Sequence, residues 1–202
     1  MYVTRRAWEI LRGIIHKYGS EVLKKRLWDR DYSSGAYGYG CSAGDFLYPY
    51  LVEHARGGSI LDLGCGEGKT ENELDQQAYT ECVGVDISDV AIGRAKTWSE
   101  RTGRVGKNKF YCSDIVSFVP SQEFDLILFR DSLCYVPLRK IKATLDRYSD
   151  FLKENGCFVV RLFDGIRYAP LVEIIEANFS VQLKRFSETG AVAIVFRPLK
   201  KT

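Results

Sequence analysis

The sequence predicts an α/β domain: a doubly wound, mostly parallel seven-stranded sheet that ends in an antiparallel hairpin, with a helical cap before it. Three observations carry this. From Ser59 to Ala177, short apolar runs alternate with amphipathic stretches, which is the spacing of a parallel sheet covered by helices on both faces. The last two runs are joined by the turn residues Ser187-Glu188-Thr189-Gly190, and so short a link forces antiparallel pairing. The first thirty residues read as helix and give way to a loop rich in glycine and tyrosine before the alternation begins.

In chain order, Trp8, Leu11, Ile15 and Tyr18 fall on one helical face, and Gly19 ends that run. Val22, Leu23 and Leu27 begin a second. Asp31–Gly40 is loop, and a short helix closes at Arg56 before Gly57-Gly58. Ser59–Leu63 is the first strand and Cys82–Val85 the second, ending at Asp86. Ser88 caps a helix with Ala91, Ala95 and Trp98 on its inner face. Lys109–Cys112 gives a third strand and Phe124–Phe129 a fourth. Leu138, Ile141, Leu145, Tyr148 and Leu152 mark a long helix. Gly156–Phe163 is the fifth strand, Ile166–Ala177 a helix, and Phe179–Leu183 and Ala191–Phe196 the hairpin. The expected division is a cap over residues 1–45 and a ligand-binding domain over 46–202.

Composition excludes several classes. Apolar residues are 46% and charged residues 27% of the 202, ordinary for a folded domain and wrong for a disordered or fibrous chain. The 29 basic and 26 acidic side chains leave +3, too balanced to point to nucleic acid or an anionic membrane. Apolar runs such as Ala191–Phe196 fall far short of the ~20 residues of a membrane helix. The N-terminus has early positive charge but no apolar core of a signal peptide. The six cysteines contain no C-x-x-C pair, and four lie in or beside strands, where buried thiols act as small hydrophobes. The expectation is a reduced, cytoplasmic chain. With two histidines and no metal-ligand spacing, no metal is expected.

The most informative segment is Ile60-Leu61-Asp62-Leu63-Gly64-Cys65-Gly66-Glu67-Gly68-Lys69-Thr70. Glycines at 64, 66 and 68 leave a strand and enter a helix, so a ligand can approach bare backbone. Twenty residues after Gly66 the second strand ends in Asp86, an acid placed to accept both hydroxyls of a ribose. The spacing is G-x-G-x-G rather than the dinucleotide G-x-G-x-x-G. Glu67, Glu71 and Glu73 crowd the helix start, a poor seat for a pyrophosphate and a better one for a cationic ligand.

Asp62–Gly68 resembles the first motif of class I S-adenosylmethionine-dependent methyltransferases. Val83-Gly84-Val85-Asp86-Ile87-Ser88 resembles their second motif, Cys112-Ser113-Asp114-Ile115 their third, and Phe124–Phe129 their fourth. Leu152–Cys157 resembles the turn into their fifth strand. The likeness covers about residues 58–163 and implies the Rossmann-like methyltransferase fold, with S-adenosylmethionine as cofactor. It implies that Asp86 holds the ribose and Asp114 the adenine amino group, with Ile115 or Ile87 against the ring. Gly64, Cys65 and Gly66 would lie along the methionine part, Asp62 near its ammonium, and Arg130 at the methionine end. Tyr32, Tyr37 or Tyr39 would face the sulfonium.

Methyl transfer needs alignment above all, and a base when the acceptor is a hydroxyl. The candidates are Asp131 and Tyr135, just past the fourth strand, together with His16 and Tyr37 in the cap. The sequence Arg130-Asp131-Ser132-Leu133 lacks the Asn-Pro-Pro-Tyr pattern linked to methylation of base amino groups. The expected acceptor is therefore a small molecule. The Trp28–Tyr32 segment with Gly35 and Tyr37 resembles the entry segment of small-molecule methyltransferases and hints at a sugar or a glycosylated metabolite. O-methylation by a monomer or homodimer is the expectation; a nicotinamide-dependent reductase and a non-catalytic S-adenosylmethionine-binding protein are the alternatives.

Overall fold

The computed structural model describes residues 5–35 and 45–199. Two helices come first, α1 (Arg5–Tyr18) and α2 (Glu21–Ser33), then α3 (Tyr48–Ala55). The strands are β1 (Ser59–Leu63), β2 (Glu81–Asp86), β3 (Asn108–Cys112), β4 (Phe124–Arg130), β5 (Leu152–Leu162), β6 (Phe179–Phe186) and β7 (Val192–Pro198). Between them run α4 (Lys69–Glu73), α5 (Asp89–Arg101), α6 (Leu138–Ser149) and α7 (Ala169–Asn178). The seven strands form one sheet in the order β3-β2-β1-β4-β5-β7-β6. All pairs are parallel except β5 with β7 and β6 with β7. The strand order reverses between β1 and β4, and the crevice at the carboxyl ends there is where such sheets bind ligands.

Strand alternation builds two cores. Ile60, Leu126 and Leu128 face α3, with Leu47 and Leu51. Leu61, Leu63, Ile127 and Phe129 face the other way, against Ile141, Leu145 and Tyr148 of α6 and Ile175 of α7. A strand covered on both faces reads as a continuous apolar run, as β4 does.

The helices depart from expectation in three places. The apolar face expected for α1 does not pack: Leu11 and Tyr18 are 43% and 60% exposed, while His16 is the buried position. The side chain of Trp8 lies outside the described residues. In α5 the buried positions are Ala91, Ile92, Ala95 and Ser99, and Trp98 is half-buried, because a small-residue face lets the helix sit close to the sheet. The long helix stops at Ser149, and Leu152 opens an eleven-residue β5. Of the described cysteines, Cys65, Cys82, Cys134 and Cys157 are buried free thiols and Cys112 is exposed.

The helix after the glycine loop has five residues and no apolar face to speak of, so polar bonds hold it. The Glu71 carbonyl accepts from Asn108 Nδ2 at 3.1 Å and from Arg104 at 3.0 Å, and lies 2.9 Å from the Tyr79 hydroxyl. Asn72 bonds Ser99 of α5 at 2.8 Å. These bonds fix the loop's exit direction, so the ligand-facing backbone is rigid before anything binds.

Candidate functional site

The carboxyl ends of β1, β2 and β4 open on a cavity of about 330 Å³. The glycine loop is tied to β2: Gly64 and Cys65 N–H donate to the Val85 carbonyl at 2.7 and 3.0 Å. Gly66, at a left-handed φ of 57°, donates to Asp86 at 3.0 Å, and Ser88 N–H donates to the other Asp86 oxygen at 2.9 Å. Each Asp86 oxygen keeps acceptor capacity for a ribose hydroxyl. Burial pushes its pKa up to about 6, against the pull of those two N–H groups.

Asp62 stands beside it at the end of β1, 1% exposed. Neither of its carboxylate oxygens has a hydrogen-bond partner among the described residues. Burial pushes its pKa up to about 7, although the Arg130 guanidinium opposes the shift. The Thr70 hydroxyl also pulls it down, yet a buried carboxylate with no hydrogen bond of good geometry is costly and has room for a further donor. An α-ammonium group fits that deficit, and the bare loop fits an adenosylmethionine backbone, so the residues present suit S-adenosylmethionine.

The crowd of glutamates does not make the cationic seat expected from the sequence. Glu67 lines the cavity but pairs with Arg94. Glu73 accepts from the Tyr48 hydroxyl at 2.6 Å. Glu71 is fully buried beneath the loop, where a Cβ on Gly84 would come within 2.5 Å of its Oε1, and burial raises its pKa well above the usual range. Of the three only Glu67, which precedes the helix, lines the cavity, and Asp62 is a further carboxylate there.

Asp114 lines the cavity, as do Ile87 and Ile115. It accepts Val116 N–H at 2.8 Å and is paired with Lys24 of α2 at 3.2 Å. The helix α2 is docked by Asp29, which accepts from Ser88 Oγ at 2.6 Å at the start of α5. His16, Lys24, Trp28 and Tyr32 thereby form one wall of the cavity. Tyr37 and Tyr39 lie outside the described residues.

At the other end, Arg130 and Asp131 leave β4 into a buried charge network. Arg130 pairs with Asp45 at 2.8 Å and reaches Thr70 Oγ1 and the Tyr48 hydroxyl, each at 3.2 Å. Asp131 holds a left-handed φ of 57° and ion-pairs with Arg161, while its Oδ1 has no partner among the described residues. Burial raises the Asp131 pKa, with Arg161 pulling against it. Tyr135 follows in a tight turn and also lines the cavity, with Val136 and Phe163. The structure thus brings Asp62, Gly64, Cys65, Gly66, Asp86, Ile87, Asp114, Ile115, Arg130, Asp131, Tyr135 and His16 to one cavity. Asp31, Asp45 and Arg161 were not singled out from the sequence, because their partners lie 15 to 116 residues away and leave no local pattern.

Residues 39–173 match a family model described as a methyltransferase domain. A sterol 24-C-methyltransferase of Pneumocystis carinii (strain B80) is 32% identical over 113 residues, 54% of this chain and 29% of that protein. The chain thus spans less than a third of that curated relative's length. Among solved structures, a DhpI–SAH complex superposes with a TM-score of 0.73 at 18% identity, covering 94% of this chain and 98% of the other. The N-methyltransferase NodS from Bradyrhizobium japonicum WM9, in complex with S-adenosyl-L-homocysteine, gives 0.68 at 17% identity, covering 87% and 98%.

Proposed function

The chain belongs to the methyltransferase domain family, of the class I S-adenosylmethionine-dependent type, and from that premise we propose that it methylates a hydroxyl of a small molecule. The observation that carries this is the buried, partnerless carboxylate of Asp62 next to Asp86 at the point where the strand order reverses. Asp62 receives the ammonium, Asp86 the ribose hydroxyls, and Asp114 the adenine amino group once Lys24 yields it. Ile87 and Ile115 flank the ring, and the loop Gly64-Cys65-Gly66 lies along the methionine chain. Arg130, held by Asp45, sets the potential at the methionine end, and Tyr32 offers its face to the cationic sulfur. The bound cofactor supplies a methyl on a sulfonium, which keeps the electron pair as the methyl leaves.

Trp28, Tyr135, Val136 and Phe163 give the acceptor side apolar and aromatic walls. They favour a flat, apolar hydroxyl compound over a sugar, whose hydroxyls would find few partners. A cavity of about 330 Å³ is at the low end of the ~300–1,000 Å³ typical of ligand sites. Cofactor and acceptor together need more room, so the helices α1 and α2 shift as they enter. The free buried thiols suit a reducing compartment, the cytoplasm. Among the described residues, no helix is long and apolar enough to cross a membrane.

Asp131 orients the acceptor hydroxyl through its unpaired Oδ1, with Arg161 fixing the carboxylate. The test is transfer of a labelled methyl to a panel of phenols, sugars, amines and carboxylic acids. Incorporation into hydroxyl acceptors is expected. Asp131→Asn is expected to lower turnover about tenfold, the worth of one oriented hydrogen bond, with affinity for S-adenosylhomocysteine unchanged. Transfer confined to amines or acids, or loss of cofactor affinity in Asp131→Asn, would overturn this reading.

A further inference from the structure

His16 is buried in the cavity wall, 3% exposed, in a helix whose neighbouring positions are half-buried or exposed. Its Nε2 lies 3.2 Å from Asp31 Oδ2. An ionised carboxylate only accepts, so this contact places the ring proton on Nε2 and leaves a lone pair on Nδ1. Nδ1 is buried and has no partner among the described residues. Asp31 is itself held by Arg12, whose Nε and second guanidinium nitrogen each lie 2.9 Å from the same Oδ2. The imidazole is clamped between rings, with Trp28 at 4.0 Å and Tyr135 at 5.7 Å between centroids. Position, tautomer and rotamer are thus all fixed for a nitrogen that bonds nothing in the described structure.

We infer that His16 Nδ1 accepts the proton of a phenol-like hydroxyl as it is methylated, and that Asp31 is the residue that positions it. The inference rests on the reading that a hydroxyl is methylated in this cavity. The balance is simple. The O–H electron pair stays on oxygen and forms the O–CH3 bond, the C–S pair goes to sulfur, and the proton goes to Nδ1. The resulting imidazolium is stabilised by the Asp31 carboxylate across the ring, and it loses its proton to water once the product has left. Aromatic walls at Trp28 and Tyr135 match a ring-borne hydroxyl, whose proton a neutral imidazole can take. A buried ring nitrogen without a partner is unfavourable, a deficit that such a hydroxyl relieves.

The groups facing His16 set its titration. Burial lowers its pKa, Asp31 raises it by charge and hydrogen bond, and Arg12 and Lys24 lower it. The chain has two histidines, so His54→Gln leaves His16 as a lone imidazole resonance that NMR can titrate in the free protein. The expectation is titration below the usual ~6.5, moving lower still in Asp31→Asn, since the group that raises it is gone. With a phenol acceptor and saturating S-adenosylmethionine at every pH, His16→Gln should cut turnover about 100-fold and remove the acid limb of the turnover profile, while S-adenosylhomocysteine affinity holds. Asp31→Asn should move that limb to lower pH. An unmoved His16 titration in Asp31→Asn, or full turnover with an unchanged acid limb in His16→Gln, would overturn the pair. Failure of the wild type to bind S-adenosylhomocysteine would instead overturn the methyltransferase reading, whatever pH His16 titrates at.

Discussion

Asp86→Ala is expected to weaken S-adenosylmethionine binding roughly 30- to 1,000-fold. Two ribose hydroxyls lose a charged acceptor, at about 2–4 kcal/mol together. The same change strips Gly66 and Ser88 of the acceptors that receive their N–H groups at 3.0 and 2.9 Å, so the glycine loop loses its tie to the end of β2. Calorimetry on the folded variant measures this. An affinity within threefold of wild type would remove Asp86 from the ribose.

Asp62→Asn is expected to weaken binding by roughly two to four orders of magnitude, since an ammonium left buried without its carboxylate costs about 3–5 kcal/mol. The pH dependence follows in sign. In the free protein burial holds Asp62 up at about 7 and Asp86 up at about 6. A protonated Asp62 cannot pair with an ammonium, so wild-type affinity should fall as pH drops from 8 to 6, and Asp62→Asn should flatten that dependence. Stability runs the other way. A carboxyl with a raised folded pKa binds more protons folded than unfolded, so its contribution is lost as pH rises from about 4 to about 7. Asp62→Asn should therefore melt higher than wild type at pH 8 without ligand, by roughly 2–4 °C for each kcal/mol relieved. Equal melting temperatures at pH 8, with equal affinities at pH 6 and 8 in both proteins, would show that Asp62 carries no buried charge.

The sheet was legible because its signals are local. Five-residue apolar runs, Gly64 to Gly68, and Asp86 at a strand end each report on their immediate neighbours, and the structure finds the strands at those places. The glycine-loop half of the cavity followed from the same local pattern. On the other side Asp131, Tyr135 and His16 were legible as candidates, but their partners were not. His16 and Asp31 meet across two helices, and Asp45 reaches Arg130 and Arg161 from outside the sheet. Such pairs depend on how helices dock, and docking here is set by a few polar bonds such as Asp29 to Ser88 rather than by an apolar stripe. That also explains α1, whose apolar periodicity pointed to a face that lies exposed while His16 turned inward. Glu71 was grouped with Glu67 and Glu73 as part of a cationic seat because helical spacing cannot tell which acid of a five-residue helix is driven under the loop.

The central claim is that this cavity is built for a cationic adenosyl ligand held by Asp62, Asp86 and Asp114. Calorimetric titration of the purified chain with S-adenosylmethionine, S-adenosylhomocysteine and NADH tests it most directly. Saturable one-to-one binding of both adenosyl compounds, with no heat beyond dilution from NADH, is the predicted result. Binding of NADH, or of none of the three, would contradict it.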